Sequence, residues 1–126
     1  MNVKQRFVLF SIETKLTAHN REKPIVESRL AKYGFKKVLG SYKGILENSY
    51  LVSCKEDDAL KEVLDLANEF YQESILIVDE TGKATLQYLS SPANATIIGR
   101  WTSVSALDAQ SLDNWTLDGT DYYSVA

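Results

Sequence analysis

An α+β domain built on one antiparallel sheet is what this sequence predicts, and three observations predict it. Apolar residues recur at helical spacing in two stretches and at strand spacing in several others. The two kinds interleave in the order strand, helix, strand, strand, helix, strand. With 126 residues, 44% of them hydrophobic, the chain suits one compact domain with a genuine core.

The first strand is read at residues 3–12, VKQRFVLFSI, rich in Val, Phe and Ile. Basic residues precede it, but no small-residue cleavage site follows, so it reads as a strand and not a signal peptide. Residues 14–23 are polar and hold the single histidine, His19, which marks a loop. Pro24 suits a first helical turn and Gly34 a left-handed cap, with Val26, Leu30 and Tyr33 on one face between them. Residues 35–42 and 49–54 form two strands joined by a turn around Gly44.

A second helix is expected from about Glu56 to Tyr71. Its acidic start, Glu56-Asp57-Asp58, complements the helix dipole. Leu60, Val63, Leu64, Ala67 and Tyr71 form its apolar stripe. Residues 74–79, SILIVD, are a short buried strand, and ETGK turns the chain into ATLQYLS. A final strand is read at residues 97–101. The expected architecture is therefore ferredoxin-like: a β-α-β-β-α-β antiparallel sheet, both helices on one face, with extra C-terminal strands. Residues 1–101 make the ferredoxin-like catalytic domain in this reading, and 102–126 an acidic tail that wraps the surface or is partly flexible.

Strand residues of the uncovered face are apolar too, Phe7 and Leu9 in one phase against Val8, Phe10 and Ile12 in the other. A homotrimer packing sheet against sheet is the expected remedy, with ligand sites between subunits.

Charge narrows the function classes. All 14 lysines and arginines precede Trp101, and the net charge is −3. No basic cluster exists beyond pairs such as Lys36-Lys37, which argues against phosphate-backbone binding and so against nucleic acid. After Trp101 the only charged side chains are Asp108, Asp113, Asp118 and Asp121. No run of about 18 apolar residues is present to span a membrane. One cysteine, Cys54, and one histidine cannot build a tetrahedral zinc site, and there is no phosphate-binding glycine loop. Cys54, in a strand pattern, reads as a buried, inert thiol of a cytoplasmic protein.

The chemistry-bearing residues gather around two segments. Gly40 to Cys54, GSYKGILENSYLVSC, sets Tyr42 and Glu47 on either side of a glycine turn. Residues 67–74, ANEFYQES, place Gln72 where a helix runs into an apolar strand. Strand and helix ends with polar residues are where small-molecule sites are built.

With these residues in view, the chain resembles the phage-encoded S-adenosylmethionine lyases, long called S-adenosylmethionine hydrolases. The resemblance spans about residues 7–101. Those enzymes have a tyrosine before the turn, a glutamate after it and a strand-ending cysteine further on, where this chain has Tyr42, Glu47 and Cys54. They also have a helix ending in a polar-aromatic run with a glutamine, here Asn68-Glu69-Phe70-Tyr71-Gln72. The resemblance implies that Glu47 is the essential acidic residue, Tyr42 its orienting partner and Gln72 a substrate-contacting amide. Ser11 matches the end of the family's first strand, and Asn20 is a further candidate for the substrate's amino-acid end. The short turn, residues 43–46, departs from one familiar member that has a longer loop.

The implied activity is cleavage of S-adenosylmethionine to 5′-methylthioadenosine and L-homoserine lactone without a cofactor, in the host cytoplasm, as phage counter-defence. Two other classes compete. A non-enzymatic PII-like ligand-binding trimer predicts a long exposed nucleotide loop, which the short turn does not supply. An acidic anti-restriction protein predicts dense acidic stripes, which the first hundred residues lack.

Overall fold

The computed structural model describes residues 5–14, 16–90 and 94–126. The predicted beginning of the first strand, at residues 3 and 4, lies outside the described residues. Eight strands and three helices follow in chain order: β1 Phe7–Phe10, α1 Lys23–Leu30, β2 Phe35–Tyr42, β3 Ile45–Ser53, α2 Asp57–Glu69 and β4 Ser74–Val78. Then come β5 Lys83–Tyr88, β6 Ala95–Val104, α3 Ala106–Gln110, β7 Trp115–Asp118 and β8 Asp121–Val125.

The sheet is not open. It closes into an antiparallel barrel in the order β1-β3-β2-β7-β8-β6-β5-β4, and this overturns the ferredoxin-like expectation. The cause is the segment read as a tail. Residues 115–125, WTLDGTDYYSV, fold into a hairpin through Gly119, whose φ of +63° suits a tight turn. One arm of that hairpin pairs with β2 (Leu39↔Leu117, Gly40↔Thr116, Ser41↔Trp115) and the other with β6 (Trp101↔Val125 through Val104↔Tyr122). Both edges of the predicted sheet are thereby joined. Gly99 permits the tight approach on the far side, since a Cβ there would sit 2.6 Å from the Ala126 carbonyl oxygen.

Closure also disposes of the argument from uncovered apolar residues. Phe7 and Leu9 are only 4% and 8% exposed within one chain. They point into the barrel and pack with Val38, Val78, Ala84, Trp101 and Tyr123. Val8, Phe10 and Ile12 point outward and pack under α1 and α2 against Val26, Leu30, Val63 and Leu66. The strand is buried on both faces because each face has its own core.

Helix α2 is amphipathic, with Ala59, Val63, Leu66 and Ala67 buried. Tyr71, read as part of its stripe, is instead 89% exposed. The helix ends earlier, with the Phe70 N–H donating to Leu66 and the Gln72 N–H to Ala67. Tyr71 then takes φ +56°, turning the chain into β4 and its side chain outward.

Candidate active site

The segment from Tyr42 to Glu47 is a two-residue hairpin. Lys43 and Gly44 have φ of +52° and +79°, the backbone twist that matches the flanking strands. Tyr42 pairs with Ile45, and Gly40 with Glu47. Side chains alternate along a strand, so this register sets Tyr42 and Glu47 on one face, with the space opposite Glu47 left free by glycine. The C-terminal segment clamps the turn. The Ser41 hydroxyl and the Gly44 N–H both donate to the Asp113 carbonyl, at 3.0 and 3.1 Å. The Lys43 N–H donates to Asn114 Oδ1 at 2.8 Å, and the Ser124 hydroxyl to the Asn114 carbonyl at 2.8 Å.

Two cavities, each of about 420 Å³, meet at this hairpin. Both are within the usual size of small-molecule sites. The inner chamber lies in the barrel between Leu9, Leu76, Leu86, Trp101, Trp115 and Tyr123. The outer cleft is bordered by Glu13, Ile45, Leu46, Tyr71 and Glu73. Tyr42, Lys43, Glu47 and Gln72 line both and form the boundary between them.

Glu47 stands at that boundary with its pKa raised, first because burial penalises its charged form and then because Glu13 is close. Glu13 goes the other way. Burial alone would raise it, but its hydrogen bonds outweigh that and hold it below the ordinary carboxylate value. Lys23 Nζ donates to Oε2 at 2.9 Å, the Asn48 N–H to Oε1 at 2.7 Å and Asn48 Nδ2 to Oε2 at 3.2 Å. The site therefore holds one hydrogen-bonded carboxylate and, among the described residues, one without a partner. Two carboxyl groups driven apart in this way are a common mark of a functional site.

Four of the residues predicted from the sequence come together here. Glu47, Tyr42, Gln72 and Ser11 all line the inner chamber. Gln72 is fixed by Nε2, which donates to the Glu13 carbonyl at 2.9 Å and the Phe70 carbonyl at 3.3 Å, leaving its Oε1 as the remaining acceptor. Ser11 ties strands together, donating to the Asn48 carbonyl at 2.8 Å and accepting from the Glu13 N–H at 3.0 Å. The Tyr42 ring lies 5.2 Å from Lys43 Nζ, and no hydrogen bond joins its hydroxyl to Glu47 among the described residues. Asn20 is not brought in: it lines neither cavity and accepts from Lys23 Nζ at 3.1 Å.

Outside the site, His19 stacks its ring edge on Phe70 at 5.0 Å and holds Nδ1 3.7 Å from Glu22. Cys54 is buried, which pushes its thiol up to about 11 despite the opposing charge of Arg6. The residues missed from the sequence are Glu13, Asn114, Trp101, Trp115 and Tyr123. A legible signal existed for the C-terminal ones, the Asp118-Gly119 pair between apolar residues, which is a strong hairpin mark. Glu13 carries no local signal, because its partners come from distant segments.

Comparison with known families decides what this site belongs to. The model of the S-adenosylmethionine lyase family matches residues 11–126. The chain belongs to the S-adenosylmethionine lyase family. The match begins at Ser11 and takes in β7, β8 and the Asp113 and Asn114 that clamp the Tyr42–Glu47 hairpin. No curated protein matches the chain. Membership makes the protein an enzyme, a lyase of S-adenosylmethionine, and sets aside the non-enzymatic alternatives.

Proposed function

We propose that the enzyme cleaves S-adenosylmethionine to 5′-methylthioadenosine and L-homoserine lactone by attack of the substrate's own carboxylate. The observation that carries this reading is Glu47, a half-buried carboxylate at the junction of two cavities with no hydrogen-bond or ion-pair partner among the described residues. In this step a carboxylate oxygen forms a bond to the γ-carbon, the carbon–sulfur bond breaks, and its electron pair neutralises the sulfonium. No external nucleophile is consumed.

Intramolecular attack reaches effective molarities of about 10⁵–10⁸ M when the geometry is right, which removes roughly 7–11 kcal/mol from the barrier. The protein's main task is then to fold the flexible amino-acid chain into a near-attack shape. The step also cancels a negative and a positive charge, so leaving water lowers the barrier further. Glu47 holds the substrate ammonium, which keeps the reacting carboxylate free. Gln72 offers Oε1 to the same end of the substrate. Tyr42 positions the glutamate by walling one side of it.

The reaction in ¹⁸O-water tests the route. Quenched before ring opening, the lactone should be unlabelled, and later hydrolysis should label only the homoserine carboxylate. Label in the γ-hydroxyl would mean direct attack by water and would replace this route with a hydrolase one.

The same reading extends to assembly and biology. Exposed Ile45, Leu46 and Tyr71 border the outer cleft, and covering them with neighbouring subunits of a homotrimer would dry the site. Light scattering of an active sample tests this, since full activity from a monomer would remove it. Depletion of the methyl donor in the host cytoplasm would serve phage counter-defence, and a normal S-adenosylmethionine pool in cells expressing the enzyme would argue against that role.

A further inference from the structure

The two cavities differ in chemistry as sharply as the two ends of the substrate. The inner chamber is walled by Leu9, Leu76, Leu86 and Val125, with the rings of Trp101 and Tyr123 stacked 5.1 Å apart at 15°. The outer cleft is charged, with Glu13, Glu47, Glu73 and Lys43 on its walls. We propose that the barrel interior is the purine subsite and the outer cleft the amino-acid subsite, so that the sulfonium sits at their shared boundary. This rests on the lyase reading and adds to it which end of the substrate goes where.

Three observations carry the orientation. A flat apolar heterocycle gains most from aromatic and aliphatic walls, whereas a zwitterion would lose hydration there without compensation. The chamber's only charged lining, Glu47 and Lys43, is what it shares with the outer cleft, so ammonium and carboxylate groups find their complement at the boundary and beyond it, where Glu47 has no partner among the described residues. Trp101, in the chamber wall, also carries a buried donor, Nε1–H, without an acceptor among the described residues. Orphan buried donors are rare in folded proteins, and a ring nitrogen of a purine is a suitable acceptor. Ser49 and Ser74 also line the chamber and offer hydroxyls to a ribose.

The chain has two tryptophans, Trp101 and Trp115, and both line the inner chamber. They can therefore report on its occupant without altering the wild-type protein. Wild-type enzyme labelled with ¹⁵N at the indole nitrogens should give two N–H signals, assigned by comparison with Trp115→Phe. 5′-Methylthioadenosine and adenosine should shift both signals, while methionine should leave them in place. Glu47→Gln should weaken binding of methionine or of the substrate by roughly tenfold and leave the affinity for 5′-methylthioadenosine unchanged.

Indole shifts caused by methionine and not by adenosine would overturn the orientation. Unmoved indole signals at saturating 5′-methylthioadenosine would overturn the chamber as a subsite. Turnover of S-adenosylmethionine, measured on the same preparation, separates these failures from failure of the lyase reading itself.

Discussion

The two halves of the barrel carry the same kind of strand and do different work. The wall made by β1, β3 and β4 is covered outside by α1 and α2, and its outer core includes Val8, Leu66 and Ile75, each at most 1% exposed. Among the described residues the wall made by β5 to β8 has only the short α3 outside, and Ile97, Ile98, Leu107 and Leu112 lie open to solvent. Its inner side supplies Trp101, Trp115 and Tyr123 to the chamber and Asn114 to the hairpin clamp. One half carries the packed outer core and Glu47, and the other closes the barrel over the chamber.

Truncation should expose that difference most strongly. Leu66→Ala, in the helix-side core, should cost about 2–5 kcal/mol in urea unfolding. The same change at Leu86, whose side chain already faces open space, should cost clearly less. Equal losses would mean that both halves are packed alike.

Glu47→Gln should lower turnover about a hundredfold or more, equivalent to roughly 2.7 kcal/mol at the transition state, while the fold persists. It should also raise stability at neutral pH. A carboxyl whose pKa is raised by folding costs stability when ionised; the cost is full above the raised pKa, starts to fall there and is gone below the ordinary carboxylate pKa. Near-normal turnover in a folded variant would remove Glu47 from the site.

Gly99→Ala tests the seam between β6 and the chain's last residue. The added Cβ would meet the Ala126 carbonyl at 2.6 Å at a φ of +142°, so about 1–3 kcal/mol should be lost in thermal or urea unfolding. Glu13→Gln should cost about 1–2 kcal/mol near pH 7 by removing charged hydrogen bonds. Its pKa is lowered by folding, so the stability it contributes is complete above the ordinary carboxylate pKa. That stability disappears as pH falls through the lowered value. The two glutamates should thus respond to pH with opposite sign. Tyr42→Phe should be the mildest change, lowering kcat a few-fold, because only the hydroxyl is lost and the ring stays at the cavity boundary.

The helix-covered half was readable because its periodicities are local. Val26 and Leu30, or Val63 and Ala67, recur at a spacing that only one side of a helix satisfies. Closure was not readable in the same way. The aspartates after Trp101 look like a solvated tail, and the hairpin they flank gains its stability only from pairing with β2 and β6. Phe7 and Leu9 are a related case: the pattern shows that a second apolar face exists, but not whether a neighbour or the same chain covers it. At the site, Tyr42, Glu47 and Gln72 were found through resemblance, and the structure brings them to one boundary. Glu13 escaped because its identity as a partner depends on Asn48 and Lys23, which only the fold brings beside it.

A closed barrel has no free strand edge, and that shapes how this molecule fails. The seam between β2 and β7 consists of three residue pairs, directly beside the clamp that holds the Tyr42–Glu47 hairpin. Opening it would bare the hydrogen-bonding edges of both strands, which are templates for pairing with other molecules. The same breach would release the turn that carries Glu47. Opening at that one seam would therefore both expose strand edges and free the hairpin of the proposed site.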